Sequence, residues 1–332
     1  MLRRAGAIIL FVLALLLVPP VAARQTNPIS LLHSQATPDF PNQIVFSLGA
    51  TSTAAAITEV QLLYGATRSD TLTVVDLDVP RDPIVKVGHT LDTQVFYFPP
   101  GTEMTYRWLI RDAAGNTLET EPLQFVYDDQ RFAWSERSIG EVTVYWYEGG
   151  STFGDTLAAT VERALGDLSA DLGAELSQPV RIYVYTSSAD LYSALQANSE
   201  EWIGGQANPE LGVILAAISP DSESEVRRII PHEISHQVLH QVIANPYVGA
   251  PFWLDEGLAV HHQEVRDRDY DLRVADAAAQ NQLIPLEALA ANFPADPEQA
   301  LLSYAESRDI VEYILETYGA ERLQVLVAAR SE

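Results

Sequence analysis

The chain has 332 residues, 47% of them apolar, and a formal net charge of -25. So much apolar content can fill the cores of two ordinary domains and excludes global disorder, while the negative charge excludes nucleic acid and disfavours an anionic membrane surface. With no cysteine, disulfides and thiolate metal sites are excluded, so a transition-metal site must be built from His, Asp and Glu.

Arg3 and Arg4 precede an apolar run over residues 7–18, too short for a comfortable membrane span. Pro19 and Pro20 break it, and Val21-Ala22-Ala23 supplies small residues for cleavage. Residues 1–23 are expected to be a secretory signal peptide, with an uncleaved anchor as the alternative; only the anchor would place the protein on a membrane. A secreted or cell-envelope chain free of cysteine fits a bacterial source.

Residues 44–48, 57–64, 71–77, 94–98, 105–111 and 117–127 read as short strands. Tyr106, Trp108 and Ile110 alternate with Arg107 and Arg111, and Asp112-Ala113-Ala114-Gly115-Asn116 is a turn. This spacing predicts an antiparallel β-sandwich of the Ig or fibronectin type over residues 30–130, structural or adhesive in role. Residues 128–138 read as a linker.

Beyond it, strands are expected at 141–147, 180–185 and 211–218, with helices at 157–172, 190–196 and 222–244. This is the order of a mixed α/β lobe, and after Pro251 the pattern is almost wholly helical. Pro231 interrupts the third helix, predicting either two pieces or a kink, with the kink preferred. The chain closes on residues 328–332 without a terminating signal, the texture of an incomplete C-terminus.

The chemistry lies in His232-Glu233-Ile234-Ser235-His236. Four residues apart on a helix, the two imidazoles share one face and can share one ion. Glu233 points about 100° away, out of the ligand plane, where it can reach a metal-bound water as general base. A catalytic zinc needs a third protein ligand and an open position. After the breakers Asn245, Pro246, Gly249 and Pro251, the segment Trp253-Leu254-Asp255-Glu256-Gly257-Leu258-Ala259 starts a second helix and returns Glu256 to the metal.

These two motifs resemble those of the gluzincin metallopeptidases in the peptidase MA superfamily. The resemblance covers roughly residue 140 to the C-terminus and implies a zincin-like domain over residues 139–332. It also implies zinc at His232, His236 and Glu256, Glu233 as base, and protein or peptide substrates. Asp255 stands where the family commonly has Asn. Val260 stands where thermolysin-like members place an Asp that hydrogen-bonds a ligand histidine.

In the same fold an edge strand before the metal helix binds substrate backbone, and Leu211, Gly212, Val213 and Ile214 are the matching candidates. Gly204-Gly205-Gln206-Ala207-Asn208 lacks the acidic residue that anchors a substrate amino terminus in the aminopeptidase branch, so that specificity is not carried over. Gluzincins often place a Tyr or His from the helical lobe on the oxyanion, and Tyr304 is the candidate, an ordinary packed Tyr being the alternative.

His240 reads as a neighbour of the site or a surface group. His261 and His262 read as outer contacts or, by preference, solvent-exposed. Asp267, Asp269 and Asp271 alternate like the start of a calcium loop, but Leu272 and Ala278 break the EF-hand pattern, so a solvated acidic turn is expected, a looser calcium site being the alternative. The rival functions are a noncatalytic zinc-binding adhesion protein with the same fold, and a hydrolase of a non-peptide substrate.

Overall fold

The computed structural model describes residues 27–196, 204–243, 245 and 249–330. The expected signal peptide lies outside the described residues. No helix among those described is long and apolar enough to cross a membrane.

Among the described residues the N-terminal region holds eight strands: β1 (Ile29–Asp39), β2 (Gln43–Ser52), β3 (Ile57–Ala66), β4 (Thr73–Leu77), β5 (Ile84–Asp92), β6 (Thr102–Asp112), β7 (Thr117–Glu119) and β8 (Leu123–Tyr127). They form two antiparallel sheets, in the orders β1-β2-β5 and β4-β3-β6-β7, with β8 also paired to β6. Period-two alternation turns Ile44, Phe46 and Leu48 of β2 inward, together with Val60 and Leu62 of β3 and Met104, Tyr106, Trp108 and Ile110 of β6. The two sheets thus share one core. Trp108 crosses it, donating from Nε1 to Ser34 Oγ of β1 at 3.1 Å.

Three expectations change here. The strand expected at 94–98 is absent, because β5 ends at Asp92 and the chain turns there, the Phe96 N–H donating to the Asp92 carbonyl at 3.0 Å. β1 is a polar edge strand without apolar alternation, so it escapes pattern reading. The expected strand at 117–127 is two strands, because the segment around Pro122, which has no N–H, cannot continue the ladder.

A third sheet, of five strands, follows, built from β9 (Ser135–Ile139), β10 (Val142–Trp146), β11 (Val180–Tyr185), β12 (Gly205–Asn208) and β13 (Val213–Ala217), in the order β12-β13-β11-β10-β9. β10, β11 and β13 run parallel; β9 and β12 are antiparallel edges. The helices are α1 (Gly150–Leu172), α2 (Ser188–Tyr192), α3 (Glu223–Ile243), α4 (Phe252–His261), α5 (Arg268–Ala279), α6 (Leu286–Leu289), α7 (Pro297–Tyr318) and α8 (Ala320–Ala328).

Both faces of the central strands are covered. Ile182, Val184, Ile214 and Ala216 pack with α1, α3 and α4, whereas Tyr183, Tyr185, Val213 and Leu215 join the core of the N-terminal sheets. That double burial explains the unbroken apolar runs of β11 and β13.

The segment expected as a linker carries an edge strand and is pinned down. Buried Asp129 accepts from Arg131 and from the Tyr185 hydroxyl at 2.9 Å, and Trp134 Nε1 donates to the Asp129 carbonyl at 2.7 Å.

The expected substrate-binding edge is also corrected. Leu211 and Gly212 lie in the turn after β12, and Val213 and Ile214 are fully buried in a strand flanked on both sides. The true edge is β12, whose sequence Gly-Gln-Ala-Asn carries no strand pattern.

Helix α3 runs unbroken through Pro231. Pro231 has no N–H for the Arg227 carbonyl one turn earlier, and the Glu264 N–H takes that carbonyl at 2.9 Å. The Glu264 carboxylate then accepts from Arg227 and Arg163, docking the chain after α4 against α3 and α1.

Helices α4 and α7 cross closely at Gly257, where a Cβ would run into the Ser307 carbonyl. Gly257→Ala is therefore expected to destabilise the chain by about 1–3 kcal/mol through overpacking. Urea denaturation checks this; an unchanged midpoint would contradict so close a crossing.

Candidate active site

One turn apart on α3, His232 and His236 hold their rings nearly perpendicular, with centroids 5.0 Å apart. Pro251 and the first turn of α4 bring Glu256 back to them. Glu256 Oε2 lies 3.6 Å from His232 Nε2 and 3.8 Å from His236 Nε2. The three donor atoms fall within 4.8 Å of one another, and that carboxylate oxygen is buried without a hydrogen-bond partner. A partnerless carboxylate oxygen facing two imidazole nitrogens fits a cation of the zinc class, for which two His and one carboxylate are a standard donor set.

The far nitrogens of both rings are held. Asp255 Oδ1 lies 2.6 Å from His236 Nδ1, and its Oδ2 lies 2.8 Å from His240 Nε2. The side-chain amide of Gln263 lies 3.0 Å from His232 Nδ1. Asp255 thus does the work that the sequence left unassigned at Val260, which is buried and lines the cleft. Its signal was available: His236 and His240 on one helix face can straddle a single carboxylate. Gln263, beyond the end of α4, carried none.

Burial shapes the electrostatics. It holds His232 down to about 3, with the charge of His236 adding to the effect. At His236 burial also acts downward, but the hydrogen bond and charge of Asp255 outweigh it and lift the imidazole above its ordinary value. Asp255 sits well below the usual carboxylate range: burial opposes this, and the hydrogen bonds to His236 and His240 prevail.

Burial raises Glu256, with Asp255 reinforcing it. Burial also pushes Glu233 up to about 7, opposed by His236 and by the Ala207 backbone N–H. Glu233 reaches β12 because residue 205 is Gly; a Cβ there would strike the Glu233 carboxylate.

These groups floor a cleft of about 630 Å³ walled by β12, α3, α4, Tyr270 of α5 and Leu301 and Tyr304 of α7, within the size range of ligand sites. Tyr304 stands in the cleft, its phenol raised by burial and by the charge of Glu256.

Other candidates fall elsewhere. His261 and His262 do not join this cleft; they face Asp171 of α1, and the His262 side chain is 2% exposed, the reverse of the expected solvent exposure. The acidic turn needs no calcium: Asp267 caps α5 by accepting from the Asp269 N–H, and Asp271 pairs with Arg266 and Arg308.

A family model described as the Peptidase MA superfamily matches residues 160–332, a little over half of the chain. No curated protein matches it. Solved structures give partial superpositions. Wild-type OgpA from Akkermansia muciniphila is 10% identical with a TM-score of 0.26, over 31% of this chain and 28% of that one. Purple acid phosphatase PPD1 from yellow lupin (Lupinus luteus) is 11% identical with a TM-score of 0.26, over 50% and 31%. BC0361, a polysaccharide deacetylase from Bacillus cereus, is 10% identical with a TM-score of 0.23, over 59% and 65%. This chain spans less than two thirds of each of them, and likeness at these scores carries no argument about fold or function.

Proposed function

The chain belongs to the peptidase MA superfamily, and on that premise we propose that it is a secreted, zinc-dependent peptidase of the gluzincin type. The observation that carries the reading is the partnerless Glu256 oxygen facing the two Nε2 atoms of His232 and His236. Those three side chains would hold one zinc ion. Bound there, zinc supplies Lewis acidity, lowering the pKa of a water and polarising a carbonyl.

The chain's own residues do the rest. Glu233 takes a proton from the attacking water and returns it to the leaving nitrogen; its burial and raised carboxyl suit both halves of that task. Tyr304 donates a hydrogen bond to the oxyanion, and burial, reinforced by the charge of Glu256, keeps its phenol protonated. The free edge of β12 takes the substrate backbone as an added strand.

Asp255 accepts from His236 Nδ1–H, which leaves the Nε2 lone pair for the metal. Gln263 does the same for His232 when its amide oxygen faces the ring. Asp255→Ala is expected to weaken zinc binding about 10–100-fold in a competition titration with a chromophoric chelator. Unchanged affinity would remove Asp255 from the account.

Residues 30–130 are read as an Ig- or fibronectin-like domain, supported by the sheet orders β1-β2-β5 and β4-β3-β6-β7. Residues 139–332 are read as the zincin-like domain. The reading is tested by incubating the zinc-loaded chain with a mixed peptide library and identifying new termini by mass spectrometry. Cleavage is expected; zinc bound without any cleavage would favour the noncatalytic adhesion protein.

A further inference from the structure

Beyond the cleft, α4 ends on a second set of metal-ligating side chains. Asp171, in the last turn of α1, places Oδ2 3.3 Å from His261 Nε2 and 3.3 Å from His262 Nε2. All three donor atoms lie within 4.8 Å of one another. An ion bound tetrahedrally at roughly 2.0–2.1 Å spaces its donor atoms about 3.4 Å apart, so these separations fit a metal polyhedron. They are long for a charged N–H···O contact, which closes to about 2.7–2.9 Å.

The hydrogen bonding of His262 points the same way. Its Nδ1 lies 2.8 Å from the Leu258 carbonyl oxygen. A carbonyl only accepts, so Nδ1 bears the proton and, in the neutral ring, Nε2 holds a lone pair. That Nε2 is buried, has no hydrogen-bond partner and points at the Asp171 carboxylate. A lone pair facing a carboxylate needs positive charge between them. One divalent cation satisfies all three donors together.

We propose that Asp171, His261 and His262 hold a second divalent transition-metal ion, of the zinc class, tying the C-terminal end of α1 to that of α4. A fourth position falls to water on the side where Asp171 and His261 are about a quarter exposed. The site shares no residue with the first, but it sits on the helix that carries Glu256. His261 follows Glu256 by five residues, about 7.5 Å along the axis, so the ion braces the helix that presents the first site's carboxylate.

Bound zinc, counted by atomic emission on the dialysed full chain, tests this. The parent chain is expected to hold about two ions and Asp171→Asn about one, since Asn keeps the shape but loses the charged ligand. A chain carrying both His232→Gln and His236→Gln is expected to keep about one ion, lost when Asp171→Asn is added. Thermal melting guards against a variant that merely unfolds. Zinc should raise the midpoint of the His232→Gln/His236→Gln chain and should not do so once Asp171→Asn is present. A parent with one ion that Asp171→Asn leaves in place overturns the proposal. So does a folded His232→Gln/His236→Gln chain that binds no zinc, the behaviour of a purely protonic cluster.

Discussion

Glu233→Gln is expected to lower kcat for peptide hydrolysis about 10²–10⁴-fold, the usual contribution of a positioned general base. Gln keeps the size of the side chain and its contact with the Ala207 N–H, so the cleft between β12 and α3 should keep its shape. It cannot take a proton from water. Zinc content should be unchanged, because Glu233 is not among the three donors that face one another. Steady-state kinetics and metal analysis on the same preparation separate the two effects. Lost activity with retained zinc supports a base at residue 233, whereas full activity would remove it from the chemistry.

Glu256→Gln should act on the metal. Replacing one of three protein ligands by a neutral amide is expected to weaken zinc binding by more than the roughly 10–100-fold that a lost outer hydrogen-bond partner costs. Cleavage should fall with occupancy.

The stability of the metal-free chain should move the other way. Burial raises the Glu256 carboxyl, so its contribution to stability is fully present below the ordinary carboxylate range and is lost as pH rises through the raised value. Gln carries no such loss. At neutral pH the metal-free variant should therefore unfold at the same or a higher urea concentration than the metal-free parent. A variant that binds zinc as the parent does would dismiss Glu256 as a ligand, and one less stable without metal would contradict the electrostatic reading of its burial.

Much of the site was legible because it is local. The His232–His236 spacing is a property of a single helix, and breakers followed by Glu256 describe a turn and a return. The alternation in β2, β3 and β6 likewise reports burial on one face. What escaped depends on pairing and tertiary contact. β9 and β12 are short polar edges defined by the strand they join, so a linker was expected in place of β9 and no strand was read at β12.

The apolar run of β13 was read as the substrate edge, although that same apolarity marks a strand buried on both sides. Asp171 lies far from His261 and His262 in sequence, and only the approach of the C-terminal ends of α1 and α4 brings them together. Pro231 left a break or a kink open; α3 is one continuous helix through it, which dismisses the break, and Glu264 takes the carbonyl that proline leaves free.

Cleavage should depend on the metal. The peptide cut fastest in the library would be assayed with the zinc-loaded chain, the same chain stripped by a chelator, and the stripped chain given zinc again, with His236→Ala treated alongside. Cleavage is expected from the loaded chain, none after stripping, recovery on adding zinc, and none at any stage from His236→Ala. Undiminished cleavage by the stripped chain, or zinc-restored cleavage by His236→Ala, would contradict it.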